Sequence, residues 1–412
     1  MNRDFRVCLV GNMNNNNYIL AKMLREMGIE ADLVLLGNEY KYFLPEFYNE
    51  ELKNGYPDWI RKVRWGSGIS FFFTSKNEIL KDLKGYDLYI ACNTFSPAFL
   101  YKAGLIERTI IRPHGCDIYM IPFWRKLLKN CKFYAKVAFP LIYRISQIQR
   151  VAIKKCLAIC CLPIGPLYES LQKLNVLDKV VKFGVLIDTS FFNSYKIKEI
   201  TTLHQHQDDV ELIIFSPTRH VWYKNSIKKC PEADKGNNIL IEGFASFLKN
   251  EKVSALLILV RKGPDVIFSQ KLIHKLNLSQ NVKWLPEISL NEMVHFYHIS
   301  DIVADQFKYG FYGSIGVEAM AVGKPLLTYI NKEHIRKLKL PEPPCISAKR
   351  GEEVSFALED YYENKNKYRF LSENAKKWVE KYHGRHLLKE FVRLFNYLLE
   401  GKPAKEFSPS LY

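Results

Sequence analysis

Tyr309-Gly310-Phe311-Tyr312-Gly313-Ser314-Ile315-Gly316-Val317-Glu318-Ala319-Met320-Ala321-Val322-Gly323-Lys324-Pro325-Leu326-Leu327 decides how the chain is read. Ile302-Val303-Ala304 before it reads as a short strand, and Gly310 and Gly313 make a loop. Ser314 is a candidate cap through its hydroxyl, and Ile315 to Val322 continue at helical spacing. Gly323 closes the helix and Pro325 opens the next strand, Leu326 to Ile330. A glycine-rich loop feeding a helix N-terminus favours anions, because free N–H groups and the positive end of the helix dipole converge there. Glu318, one turn in on the face of Ser314, offers a carboxylate to vicinal hydroxyls such as those of a ribose. Taken alone, a strand-turn-helix unit of this kind is common to α/β proteins.

The whole string G-x-E-A-M-A-x-G-K-P-L, Gly316 to Leu326, is more specific. It resembles the donor-site helix of retaining GT-B glycosyltransferases of the family-4-like group (glycosyl transferases group 1). The resemblance implies an α/β fold with two Rossmann-like domains facing a central cleft. Residues 1–195 would form an acceptor-binding domain and 205–385 a nucleotide-sugar-binding domain. Residues 386–412 would be a C-terminal helix returning to the first. In one respect the chain departs from the pattern. Where many members place the first Glu of an E-x7-E pair stands Gly310, so the acidic contact near the donor sugar is missing or passes to Asp305 or Gln306.

Composition sets bounds on this reading. The chain has 412 residues, 48% hydrophobic and 25% charged, which is globular and large enough for about two or three domains. No apolar run approaches the ~18 residues of a membrane span, and the start of the chain has no secretory-leader pattern. Nine cysteines without a C-x-x-C pair or Cys/His cluster predict reduced thiols, a cytoplasmic protein and no bound metal. A net charge of +17 calls for an anionic partner. With no RNA-binding or zinc-finger signature, nucleic acid is not the expected one.

The chain opens as β-loop-α-β, with strands at Phe5–Val10 and Ile29–Leu36, typical of a parallel sheet but without G-x-G-x-x-G. In the loop, Asn12 and Asn14 are the expected acceptor contacts. The plainer reading is a turn of residues tolerant of left-handed φ. Tyr40 to Phe73 follows no recognisable pattern. Strands at Asp87–Ala91 and Thr109–Arg112 end in Cys92-Asn93-Thr94 and Pro113-His114-Gly115-Cys116-Asp117, at the edge where open α/β sheets bind ligands. His114 and Asp117 are candidate sugar contacts; the alternative is that one pins a loop and the other caps a helix. The H-G-x-D string resembles the cleft loop of the same family, which implies a donor-sugar contact for His114 and a place near the reacting centre for Asp117.

From Ile118 to Tyr168 there is no Asp or Glu. Within it Phe123–Phe139 is amphipathic at helical period, and Pro140 separates it from Leu141–Lys155, with Arg144, Arg150, Lys154 and Lys155. The expectation is contact between residues 123–155 and an anionic membrane surface, apolar face inward and basic face attracting. An ordinary solvated helix face explains the period but not the missing carboxylates.

The second half repeats the strand-helix alternation. A strand at Val210–Phe215 ends in Ser216-Pro217-Thr218-Arg219, and Lys235-Gly236 precedes a helix. The family resemblance implies that Arg219 and Lys235 hold the donor diphosphate, Arg in a bidentate fork and Lys as a point charge, with Lys224 in reserve. Gly313, Ser314 and Glu318 complete the expected donor site. The activity expected is transfer of a sugar, with retention, from a UDP- or GDP-linked donor to a saccharide or lipid-linked acceptor. No separate cofactor is called for, and cell-envelope polysaccharide or lipopolysaccharide synthesis on the inner membrane face is the expected setting. The alternatives are a nucleotide-sugar epimerase of the same fold and a basic nucleic-acid-binding protein.

Overall fold

The computed structural model describes residues 5–37, 39–130, 139–193, 210–224 and 231–411. The chain divides into two compact units, Met1–Asp188 with Gly384–Tyr412, and Thr189–His383. The 195–205 boundary expected from sequence lies outside the described residues.

The first unit is built on seven parallel strands: β1 (Arg6–Val10), β2 (Glu30–Leu35), β3 (Ile60–Lys62), β4 (Leu88–Ala91), β5 (Thr109–Ile111), β6 (Ala158–Cys160) and β7 (Val180–Val181). Their order is β3-β2-β1-β4-β5-β6-β7. The central strands are apolar on both faces because helices cover both, so Val7, Leu9 and Val10 of β1 and all of β4 are buried. The stretch that showed no pattern in sequence holds three 3-10 turns, β3 and the helix Ser70–Phe73. β3 is a short edge strand with only Ile60 buried, which is why period and propensity missed it.

Gly384–Tyr412 belongs to this unit. The helix Arg385–Leu399 buries Leu387, Phe391, Leu394, Phe395 and Leu398. Phe391 meets Phe183 edge-on at 4.4 Å and Phe395 meets Phe5 at 6.1 Å. The guanidinium of buried Arg112 lies 5.1 Å over the Phe391 ring and donates to the Asn16 carbonyl at 3.0 Å.

The second unit carries six parallel strands: β8 (Leu212–Ser216), β9 (Ala255–Val260), β10 (Val282–Leu285), β11 (Ile302–Ala304), β12 (Leu326–Thr328) and β13 (Ile346–Ser347). They are ordered β10-β9-β8-β11-β12-β13. The order reverses between β8 and β11, so their carboxyl ends open a crevice of the kind where such sheets take ligands.

Helices Asn237–Asn250 and Gly351–Glu363 cross closely in this unit, and Gly243 makes the approach possible. A Cβ there would lie 2.5 Å from Val354 Cβ and 2.7 Å from the Gly351 carbonyl. We expect Gly243→Ala to destabilise the unit by about 1–3 kcal/mol through overpacking, more than the ~1 kcal/mol gained in helix propensity. A thermal melt reads this directly, and an unchanged midpoint would mean that the helix pair has room to spare.

Candidate functional site

In the second unit, everything at the crevice is tied to Asp305, just past β11. Its carboxylate is 4% exposed and accepts from the Gly313 amide at 2.6 Å and the Thr218 hydroxyl at 3.2 Å. The loops after β8 and β11 and the glycine loop are thereby held together. The Gly313 N–H is therefore spent internally and is not open to a ligand, contrary to the expectation from sequence. Gly313 is also the residue that caps the helix Ser314–Val322, with no side-chain cap, so Ser314 occupies the first turn instead of capping it. The first-turn amides of Ser314, Ile315 and Gly316 lack intrahelical carbonyls by the geometry of any helix start.

Lys235 sits where the loops after β8 and β11 meet. Its amide donates to the Val221 carbonyl at 2.7 Å, and its carbonyl accepts from the Phe307 amide at 2.8 Å. The ammonium donates to Gln306 Oε1, and Gln306 Nε2 donates to the Phe311 carbonyl at 2.7 Å. Burial pushes the Lys235 pKa down to about 8; nearby Asp305 opposes the fall and the Arg219 guanidinium adds to it. Arg219 and Lys235 are thus close enough for their charges to oppose each other. Lys224, the lysine held in reserve, is exposed at the edge of the undescribed residues 225–230. Asn237 fixes the loop that carries Arg219, accepting from the Val221 amide at 3.1 Å and donating to the Thr218 carbonyl at 3.4 Å. Asp305 and Gln306 were the sequence candidates for the missing acidic contact, but each already has internal partners at both polar atoms.

Glu318 is partly exposed on the same helix. One oxygen accepts from the Tyr297 hydroxyl at 2.7 Å, and burial raises its pKa to about 7, with Asp305 nearby adding to the rise. Tyr297, on the helix Leu290–Ile299, is fully buried. No sequence pattern linked these two residues, which are brought together only by the packing of their helices.

In the first unit the carboxyl ends of β1, β2, β4 and β5 gather Asn12, Glu39, Cys92, Asn93 and His114. Asn12 is fully buried, and its amide is consumed within the protein. Its Nδ2 donates to Asn15 Oδ1 at 3.0 Å and the Phe43 carbonyl at 2.6 Å, and its Oδ1 accepts from the Tyr18 amide at 2.8 Å. Its side chain builds the loop. Asn14 is exposed at φ 53° and Asn15 follows at φ 58°, so this is the turn of left-handed residues that was the plainer expectation.

His114 Nε2 lies 3.0 Å from the buried Cys92 thiol, and burial, with Arg112 nearby, lowers its pKa to about 3. It is a neutral imidazole at any physiological pH. Asp117 is 2% exposed and accepts from the His114 amide at 3.1 Å; burial raises its pKa to about 7 against that amide and the Gly115 amide. Asp117 therefore holds the His114 loop in shape. Glu39 escaped the sequence reading, although a carboxylate just beyond β2 carries the same positional signal as Asn93 beyond β4. It accepts from the Asn12 amide at 2.8 Å and from Asn93 Nδ2 at 3.1 Å.

The basic segment is described at Trp124–Asn130 and Phe139–Lys155, with Pro140 in the first turn of the second helix; the residues between them, part of the expected amphipathic helix, lie outside the described ones. Arg125, Lys126, Arg144, Lys154 and Lys155 are exposed. The apolar face is only partly inward. Ile145 and Ile153 are buried, but Phe139, Leu141 and Tyr143 are 40–47% exposed, and Trp124 packs edge-on against Phe139 and Tyr143. Among the described residues no helix is long and apolar enough to cross a membrane.

Residues 231–378 match the family described as glycosyl transferases group 1. That segment, about a third of the chain, is what is similar to group 1 glycosyltransferases. The fold agrees. Anabaena Alr3699/HepE, solved in complex with UDP and glucose, superposes with a TM-score of 0.65 at 14% identity, covering 95% of this chain and 99% of that one. A glycosyltransferase from Rickettsia africae gives 0.65 at 14% identity, covering 97% and 100%. WaaG, a glycosyltransferase of lipopolysaccharide biosynthesis, gives 0.59 at 13% identity over 94% and 99%. These are GT-B structures, and the two parallel sheets described above share their architecture. No curated protein matches the chain by sequence.

The depressed Lys235 pKa has a measurable sign. The ammonium is charged below about pH 8 and loses its proton as the pH rises through that value. Competitive acetylation followed by peptide mass spectrometry should place the midpoint for Lys235 near 8, about two units below ordinary lysines. A midpoint near 10.5 would mean that water reaches the ammonium freely.

Proposed function

We propose that the protein transfers a sugar from a nucleotide-sugar donor to a hydroxyl acceptor, with retention at the anomeric carbon and without a metal ion. The observation that carries this reading is the juxtaposition of Arg219 and Lys235 in a group 1 segment that also contains the Ser314–Val322 helix start and Glu318. As the bond from the anomeric carbon to the diphosphate oxygen breaks, the electron pair leaves with the diphosphate. Two cations and the first-turn amides of Ser314 and Ile315 can meet that growing charge in a preorganised, partly dry setting. A diphosphate would take over Lys235 from Gln306, trading a neutral partner for a charge-assisted one. Glu318, steadied by Tyr297, would accept the ribose hydroxyls. Within the first unit, His114 is a neutral hydrogen-bonding imidazole suited to a sugar hydroxyl, with Asp117 positioning its loop. UDP is the first donor base to test, because UDP is bound in the Anabaena structure of similar fold.

We also propose that the first unit docks on an anionic membrane surface through Arg125, Lys126, Arg144, Lys154 and Lys155. Trp124, Phe139 and Tyr143 would settle at the headgroup level. Each cation near such a surface contributes about 1 kcal/mol, and amphipathic aromatic rings favour that depth. This suits a lipid-linked acceptor and a role in cell-envelope polysaccharide or lipopolysaccharide assembly.

Thermal unfolding with UDP, GDP, ADP and their glucose conjugates tests the donor site. A cognate ligand at a hundredfold over its Kd should stabilise by ~2.7 kcal/mol, and Glu318→Ala should lose most of that shift. If none of these ligands moves the melt, the transferase reading fails; conversion of UDP-N-acetylglucosamine to its 2-epimer would replace it with the epimerase. For the membrane surface, flotation with vesicles containing one-third phosphatidylglycerol should carry the protein at 50 mM salt and release it at 500 mM. Reversing Arg144, Lys154 and Lys155 to Glu should abolish flotation, and equal flotation with neutral vesicles would refute the electrostatic account.

A further inference from the structure

The first unit contains a polar group with no partner. Asn93 is 5% exposed; its Nδ2 donates to Glu39 Oε2, yet its Oδ1 is buried without a hydrogen bond. A buried, unsatisfied amide oxygen costs about 1–3 kcal/mol, so its persistence calls for an explanation. Beside it, Glu39 turns both oxygens toward donors of the protein, Asn12 N–H and Asn93 Nδ2, and keeps lone pairs to spare. Glu39 is partly exposed, and the following Tyr40 is 42% exposed, its ring against Phe43 at 5.3 Å. That loop is held from below by the asparagine turn, through Asn12 Nδ2 to the Phe43 carbonyl and Asn15 Nδ2 to the Tyr42 carbonyl.

We infer that Glu39, Asn93 and Tyr40 form a saccharide subsite at the carboxyl ends of β2 and β4. Resting on the transferase reading, it assigns the acceptor class as a sugar that presents vicinal hydroxyls. What the polar groups lack is donors: the carboxylate and the Asn93 oxygen only accept. A carboxylate repels phosphate, so this corner does not suit the donor's diphosphate. Two neighbouring hydroxyls of a pyranose satisfy both acceptors at once, and the Tyr40 ring gives the C–H face of the sugar an apolar surface with a polar rim. The asparagine turn thus acts one step away from the sugar, by building the loop that presents it.

Saturation-transfer NMR on the full chain tests this, with methyl α-glucoside, methyl β-galactoside and N-acetylglucosamine as probes and UDP in a separate arm. At least one glycoside should receive saturation, falling fivefold or more in both Glu39→Gln and Tyr40→Ala while the UDP signal is unchanged. In Glu39→Gln the side-chain amide must find an acceptor, turning Asn93 so that its oxygen no longer faces the sugar. Tyr40→Ala removes an exposed ring and leaves the melting temperature within a degree or two. Saturation of no glycoside, with UDP bound, would overturn the subsite and leave the transferase reading standing. Equal saturation in the variants would show that the corner is structural only. Glycoside binding that is lost in the variants, without any nucleotide bound, would keep the subsite and remove the nucleotide donor.

Discussion

One buried carboxylate organises the second unit's site. Asp305 joins Thr218, on the loop after β8, to Gly313, at the head of the Ser314–Val322 helix. Removing a charge from water is costly unless hydrogen bonds and a nearby cation compensate it. Here the compensation comes from the Gly313 amide, on the connection after β11, and from the Thr218 hydroxyl and Lys235, both on the connection after β8. Loops that would otherwise move independently become one surface. Arg219, Lys235 and the helix start owe their relation to that single group, and the glycine loop gives up an N–H to make it possible.

The first unit uses amides where the second uses a carboxylate. Asn12, Asn15 and Asn17 tie the turn after β1 to the aromatic loop and to the carbonyls of Gly11 and Ile90. Side-chain amides donate and accept together, so a few of them can close a turn whose backbone is left-handed at Asn14 and Asn15. Such a network leaves the loop beyond it free to carry function without folding on its own.

Much of this was legible in the sequence. Buried parallel strands announce themselves as short apolar runs, so β1, β2, β4, β8 and β11 were found within a residue or two. The helix Ser314–Val322 was marked at one end by Gly313 and at the other by Gly323. Hidden were β3, β7 and β13, strands of three, two and two residues that are too short to carry a pattern and whose pairing comes from the sheet beside them. At the site, residue types were readable but partners were not. Asn12 and Gly313 were assigned to ligands because their chemistry suits ligands; in the fold Asn15, Tyr18 and Phe43 occupy the side chain of Asn12, and Asp305 takes the N–H of Gly313. Glu39 and Tyr297 were missed for the converse reason, since their meaning lies in Asn93 and Glu318, which sequence distance conceals.

The helix Arg385–Leu399 has a consequence for biosynthesis. It belongs to the unit that the ribosome makes first, yet it is translated after the whole of the second unit. Until then Phe183 and Phe5 lack the rings of Phe391 and Phe395, and Arg112 lacks its aromatic cover. The second unit is continuous in sequence and can condense as soon as it emerges, so the order of completion is the reverse of the order of synthesis. During that interval the first unit carries an open apolar seat, the kind of surface that chaperones hold and that aggregates in their absence. A stop codon shortly before Gly384 would leave the second unit whole and the first one permanently unfinished.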